Sequence, residues 1–366
     1  MRIKDNSLKK YFKENYFCEN IFSSSRASIS LIAILLAWKK KGYRPKIALC
    51  SNVCHEVLVA IIKSNFTPVF VDLDPFTGCV PISEWEKAKL DGASIALVVH
   101  LYGNPANVKE VKNIFNGKNF LVIDDAAQAL GAKDNGQYCG SNGDVGLLSF
   151  GYKKHIQTGG SITLVKDPFF FEEIESKLSE VDNKKFFENS YSNSIFLKEF
   201  NIGKDAVLET NNNLKHLHKY LKNYNLIYEN VKKFDPVLTL LELNNIEKIV
   251  KNRLEKSLIW KKNLNPNKIV SFGLSENSSP WRFACRIKKI NWHTQKYIAD
   301  EIRQNGIDVS NWYVPIHWIY DSLIPYKMNG VDKLSKEIFQ FWVDEDITKV
   351  QIVSYSKKIN KIIDKI

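Results

Sequence analysis

The residues able to do chemistry cluster between Leu121 and Thr163, in LVIDDAAQALGAKDNGQYCGSNGDVGLLSFGYKKHIQTGGSIT. One apolar run ends in Asp124-Asp125. A second ends in Ser149-Phe150 and is followed by Lys153-Lys154-His155 and by Gly159-Gly160. Far upstream, Ser23-Ser24-Ser25-Arg26 sits just before an apolar stretch. Each feature alone has a plain structural use. An Asp at a strand end can cap the next helix, a Lys past a buried strand can lay its stem along the surface, and paired glycines make turns. Together they form the set that pyridoxal phosphate chemistry needs. An amine holds the cofactor and moves protons, an acid keeps the pyridine nitrogen protonated, and a helix N-terminus with small hydroxyl residues cradles the phosphate.

Those residues must be positioned by a sheet. Short apolar runs rich in β-branched residues predict strands at 46–50, 68–72, 94–100, 120–124, 145–150 and 162–165, and helices fit at 27–40, 54–64, 106–116 and 168–180. Strands with no polar face, alternating with helices, indicate a parallel or mixed sheet covered on both sides. Ligands of such sheets lie at the carboxyl ends of strands, where His100, Asp124, Asp125 and Ser149 fall. From 183 to 235 the sequence is Asn- and Lys-rich and reads as loops and exposed helices. Beyond it, a helix over 244–264, a strand near 281–287, a helix over 293–305, a strand around 307–312 and closing helices over 333–341 and 346–364 predict a smaller α+β unit. The expected division is a large domain over 1–238 and a small one over 239–366, packed together rather than tethered.

The bulk properties set limits. A chain of 366 residues can bury a large core. With 52 Lys and Arg against 40 Asp and Glu, the net charge of +12 favours anionic partners. No nucleic-acid motif or clustered basic-aromatic stripe accompanies that charge. The cysteines (Cys18, Cys50, Cys54, Cys79, Cys139, Cys285) form no CxxC pair and no cluster with zinc spacing. MRIKDNSLKKYF lacks the apolar core of a signal peptide, and the longest apolar run, Ile29–Trp38, is too short to span a bilayer. A cytoplasmic protein with reduced thiols, without nucleic-acid or membrane partners and without a metal, is expected.

Five segments, in order, resemble the DegT/DnrJ/EryC1/StrS family of pyridoxal phosphate-dependent sugar aminotransferases: SSSRASISLIAILLAW, TPVFVDLDPFTG, VVHLYGNPANV, VIDDAAQALGA and GSNGDVGLLSFGYKKHIQTGG. Weaker likeness continues in ADEIRQNGIDVSNWYVPIH and the closing helix. The resemblance implies the aspartate-aminotransferase-like fold type I, an α/β fold with a large mixed or parallel sheet domain and a smaller C-terminal α+β domain. It also implies a homodimer with shared active sites. The activity would move an amino group from an amino acid, expected to be glutamate, to a keto sugar, expected to be nucleotide-linked.

Residue by residue, the resemblance assigns Asp125 to the pyridine nitrogen and Gln128 to the ring near its phenolic oxygen. Ser149 becomes a phosphate contact and Lys154, five residues later, the Schiff-base lysine. Ser25 and Arg26 fall where the family has Gly-Thr at the phosphate, Cys54 falls against the ring, and Asn201 matches an Asn that reaches the partner's cofactor phosphate. The chain departs from the pattern in three places. Gly159-Gly160-Ser161 replaces a four-residue glycine loop, the motif around Asn201 is poorly kept, and FQFWVDED replaces a Leu-Pro-Leu segment. The shortened loop leaves Lys153 as a rival in register. Because some members carry His at the Lys position and dehydrate sugars, His155 keeps a dehydratase or lyase open. A degenerate member with a binding or regulatory role is the third reading.

Overall fold

The apolar runs become strands, and their ends set the site. The computed structural model describes residues 2–183, 214–221, 234–311, 314–322 and 326–366. The larger sheet holds seven strands: β1 (Ile21–Ser24), β2 (Lys46–Cys50), β3 (Thr67–Val71), β4 (Ile95–Val99), β5 (Leu121–Asp125), β8 (Val145–Ser149) and β9 (Ser161–Val165). A small hairpin of β6 (Lys133–Asp134) and β7 (Gln137–Tyr138) interrupts the series. The spatial order is β1-β9-β8-β5-β4-β2-β3. Strands β3, β2, β4, β5 and β8 run parallel, and β9 and β1 close one side antiparallel. The sheet is therefore mixed, with Cys50, Val71, Val99, Asp125 and Ser149 all at carboxyl ends on one edge.

The predicted helices appear as α2 (Ala27–Lys40), α3 (His55–Lys63), α5 (Val108–Ile114) and α6 (Pro168–Asn183). Helix α2 is apolar almost all round, and ten of its side chains are buried. A helix of that kind belongs inside a large protein. Two further helices, α1 (Asn6–Tyr16) and α4 (Ile82–Leu90), and strand β1 were not predicted. In each the apolar pattern is broken by charged or polar residues.

The second sheet has four antiparallel strands in the order β10 (Ile269–Ser271), β11 (Phe283–Ile287), β13 (Ile338–Phe341) and β12 (Val309–Ser310). Its core joins Trp260, Phe283, Cys285, Ile298, Phe339, Phe341 and Ile359. The helix predicted over 333–341 is corrected here. It spans Asn329–Glu337, and Ile338–Phe341 turns into the strand that pairs with β11. A second correction concerns the reading of 183–235 as exposed. Leu214, Leu217 and Leu221 are buried in the main core. The two sheets are locked by Asp72, just past β3. Its carboxylate accepts the N–H groups of Gly330 and Val331, both at 2.9 Å, at the start of the Asn329–Glu337 helix. Among the described residues no helix is long and apolar enough to cross a membrane.

Candidate active site

The two adjacent aspartates face opposite ways, as strand alternation requires. Asp124 is fully buried and fully used. One oxygen accepts Nε2–H of His100 at 2.6 Å, and the other accepts the N–H groups of Asn142 at 2.8 Å and Gly143 at 3.3 Å. Because Nδ1 of His100 accepts the Ala106 N–H at 2.7 Å, the proton of that imidazole is assigned to Nε2. His100 and Asp124 are thus a strut between β4 and β5. Asp125 is different: one oxygen accepts the Ala127 N–H at 2.9 Å. Burial pushes its carboxyl up from the ordinary range, against the pull of that N–H and of the Lys154 ammonium.

The loop after β8 sends its three basic residues to three places. Lys153, at φ 60°, turns outward and pairs with Asp346 at 2.7 Å and Asp344 at 3.5 Å. His155 is buried, and its Nε2 donates to the Ser279 carbonyl at 3.0 Å. Lys154 turns into the cleft, with Nζ 4.9 Å from the centre of the Trp281 ring. Burial pushes its ammonium down, while Asp125, Cys54 and Glu56 draw it back up. Lys154, Asp125 and Cys54 therefore share one electrostatic environment. The Cys54 thiol is pushed up to about 12, chiefly by burial.

The serine-rich turn lies at the start of α2. Arg26 occupies the cap position in extended backbone, and no side chain caps the helix. A fourteen-residue helix thus presents the uncapped N–H groups of its first turn, together with the positive end of its dipole. Below the turn, Ser24 Oγ lies 2.7 Å from Ser161 Oγ and 2.8 Å from Ser30 Oγ. Ser161 pairs with Ser24 on one side and with Ser149 on the other. The register so brings Ser149 two strands from the half-buried Ser25. Gly160, at φ +67°, allows this approach, since a Cβ there would meet the Ser24 carbonyl oxygen at 2.7 Å. The Arg26 guanidinium lies 3.3 Å from Glu56 Oε1, a partner the sequence did not reveal. Gln128 is buried, and its Oε1 accepts the N–H of Tyr102 at 2.9 Å. Asn201 lies outside the described residues.

Comparison with known proteins decides the family. A family model described as the DegT/DnrJ/EryC1/StrS aminotransferase family matches residues 33–352. The chain belongs to that family. The aminotransferases of that family depend on pyridoxal phosphate. GDP-perosamine synthase of Escherichia coli O157:H7 is 33% identical over 114 residues, 31% of this chain and 31% of that protein. UDP-N-acetyl-3-dehydro-alpha-D-glucosamine 3-aminotransferase of Acidithiobacillus ferrooxidans is 38% identical over 101 residues, 28% of this chain and 27% of the relative. The matched stretches thus span about a third or less of these curated relatives. Helicobacter pylori PseC, an aminotransferase of pseudoaminic acid biosynthesis, shares the fold with a TM-score of 0.75 at 15% identity, covering 100% of this chain and 93% of that one. TlmJ from Streptoalloteichus hindustanus gives a TM-score of 0.73 at 16% identity, with 98% and 90% covered.

In this DegT-family chain the cleft also holds residues that sequence reasoning missed. Glu56 lies in the first turn of α3, and Trp281 and Arg282 lie just before β11. Trp281 Nε1 donates to the Lys153 carbonyl at 2.6 Å, so its indole pins the lysine loop. Only the WRFACRI strand pattern signalled this region, and that pattern does not say which face meets the cleft.

Proposed function

We propose that this protein is a pyridoxal phosphate-dependent sugar aminotransferase. It would pass an amino group from an amino acid, glutamate by preference, to a keto sugar carried on a nucleotide. The observation that carries the reading is the placement of Lys154. Its amine is lowered by burial and coupled to Asp125, while its neighbours Lys153 and His155 are engaged elsewhere. The donor set suits the cofactor. A helix start without a side-chain cap follows a serine-rich turn, and a buried acid is electrostatically coupled to the lysine amine.

In this reading Ser25, Arg26 and Ser149 hold the phosphate with the first-turn N–H groups of α2. Asp125 holds a proton at the pyridine nitrogen, Gln128 and Cys54 border the ring, and Asn201 reaches the partner's phosphate. Bound pyridoxal phosphate supplies an electron sink for a carbanion next to the transferred nitrogen. Lys154 first anchors the cofactor. Once displaced, its amine would serve as general base and acid for the proton on the donor's α-carbon. The lowered affinity of Lys154 for protons keeps more of it as free amine near neutral pH. A homodimer with shared active sites belongs to the same reading, as the family resemblance implies. The net charge of +12 supports a diphosphate-linked substrate, and the reading places the enzyme in the cytoplasm.

Borohydride treatment of the cofactor-loaded protein, followed by peptide mass mapping, should find the cofactor on Lys154. In a separate sample that has not been reduced, L-glutamate should bleach the visible band and release 2-oxoglutarate. Label on Lys153, or no label, would defeat the assignment.

A further inference from the structure

A cavity of about 430 Å³ opens between the end of the lysine loop, the helices Pro236–Asn244 and Ile246–Asn263, and the residues that follow β13. That volume falls in the range of small-molecule sites, about 300–1,000 Å³. Lys154, Asp125 and Cys54 do not line it, so it is distinct from the cleft. Leu238, Ile249 and Val343 give it apolar walls, yet three buried polar side chains line it as well. His155 is 5% exposed. Its Nε2 donates to the Ser279 carbonyl, which assigns Nδ1 as an acceptor, and that atom has no partner. Asp344 is 3% exposed. Its Oδ2 lies 3.5 Å from Lys153 Nζ, while its Oδ1 has no partner. Arg253 is 2% exposed, and among the described residues its hydrogen bonds run only from Nη1, to the carbonyls of Trp281 at 3.1 Å and Pro280 at 3.5 Å. Burial pushes that guanidinium down, and Asp344 and Glu345 draw it back up, but no ion pair joins them among the described residues.

We propose that this cavity is a second binding site and that it takes a free α-amino acid with an apolar side chain. A buried polar atom without a partner costs free energy, and a ligand that supplies the partner recovers it. Both orphaned atoms, His155 Nδ1 and Asp344 Oδ1, are acceptors, so they call for N–H donors. Glu242 and Glu345 on the same lining add to the preference for a cation. Arg253 calls for the opposite charge, because its guanidinium presents donors that match a carboxylate. An α-amino acid carries its ammonium and its carboxylate on one carbon, so it can stand between Asp344 and Arg253, which feel each other without touching. Its side chain then meets Leu238, Ile249 and Val343. A phosphate would face three carboxylates, and a plain amine would leave Arg253 unanswered. The site does not depend on how the cofactor is held, although His155 places it one residue from Lys154.

The test titrates the cofactor-loaded protein by calorimetry after borohydride reduction, so that the fixed cofactor takes up no amine. The probes are L-leucine, 3-methylbutylamine, which lacks the carboxylate, and 4-methylpentanoate, which lacks the amine. Wild type should bind leucine saturably and each half at least about tenfold more weakly, since each half gives up one charged hydrogen-bonded contact. Asp344→Asn and Arg253→Gln should each weaken leucine by a similar factor. The amine should respond to the first variant alone and the acid to the second alone. No saturable leucine binding in wild type, leucine binding unchanged in both variants, or a half that binds as tightly as leucine would each overturn the proposal. Should Arg253→Gln not fold, Asp344→Asn decides, because it keeps the shape and removes the charge. If wild type shows no lysine-bound band before reduction, the reading of Lys154 fails, while the leucine titration still decides the cavity.

Discussion

The cleft edge of the large sheet and the facing side of the small sheet both bury charge, and they treat it oppositely. On the small sheet, Arg286 and Glu337 meet through two hydrogen bonds of 2.9 and 2.6 Å. Glu337 also accepts from Lys289 N–H and Lys333, and Arg286 donates to Pro75. On the large sheet, Asp125 has one hydrogen bond from a backbone N–H, and Lys154 is coupled to it without an ion pair among the described residues. A buried charge whose partners are complete is locked and structural. One whose partners are few is held in a strained protonation state and is available for chemistry.

The largest expected effect breaks the poised half. Lys154→Ala should lower transfer by at least about 10²–10⁴-fold, the scale of a lost general acid–base group. It should also abolish the lysine-bound visible band, while Lys153→Ala keeps that band. Equal loss in both variants would remove the distinction between the neighbours.

Breaking the locked half should cost stability instead. Arg286→Met leaves Glu337 buried without its main partner and should destabilise by about 3–5 kcal/mol in denaturant unfolding. The cofactor band should return in whatever fraction stays folded. Gly330→Ala probes the same junction. A Cβ there would press on the Leu73 carbonyl oxygen, and the cost should be about 1–3 kcal/mol. A neutral outcome at Gly330 would mean that the two sheets are not held at Asp72 as described.

The smallest effect is a slope with pH. Lys154 has a lower proton affinity folded than unfolded, where its value is near 10.5. Below the folded value it is charged in both states, and its burial costs the full amount. As pH rises from there toward 10.5, the folded state releases the proton first. The unfolded state then binds more protons, and stability rises. The cofactor-free wild type should show this added upward slope relative to Lys154→Met. Parallel curves for the two proteins would place Lys154 in water rather than in the cleft.

Much of this was legible in the chain because it is local. The strands that carry Asp125 and Ser149 are apolar runs bounded by turn residues, and α2 is a continuous apolar helix. Where the pattern was short it misled. Ile338–Phe341 continues a helical stretch in sequence and becomes a strand because β11 and β12 pair with it on either side. The Leu214, Leu217 and Leu221 side chains stand in a polar, Asn-rich stretch, yet they anchor in the core. The spacing of KKHI left three basic residues open as candidates. The fold separates them, because the positive φ at Lys153 and the Trp281 bond to its carbonyl turn each side chain to a different surface.

The sequence by itself determined the alternating αβ class, the strand ends at Asp125 and Ser149 and the serine-rich start of α2, since each follows from periodicity or a short motif. Tertiary structure alone decided that Asp124 is tied to His100, that Glu56 sits by Arg26, and that Trp281 and Arg282 reach Lys154 from more than a hundred residues away. Such pairings depend on which strand lies beside which and on which face it turns. Hydrophobic burial over the whole chain sets that arrangement, and no local stretch encodes it.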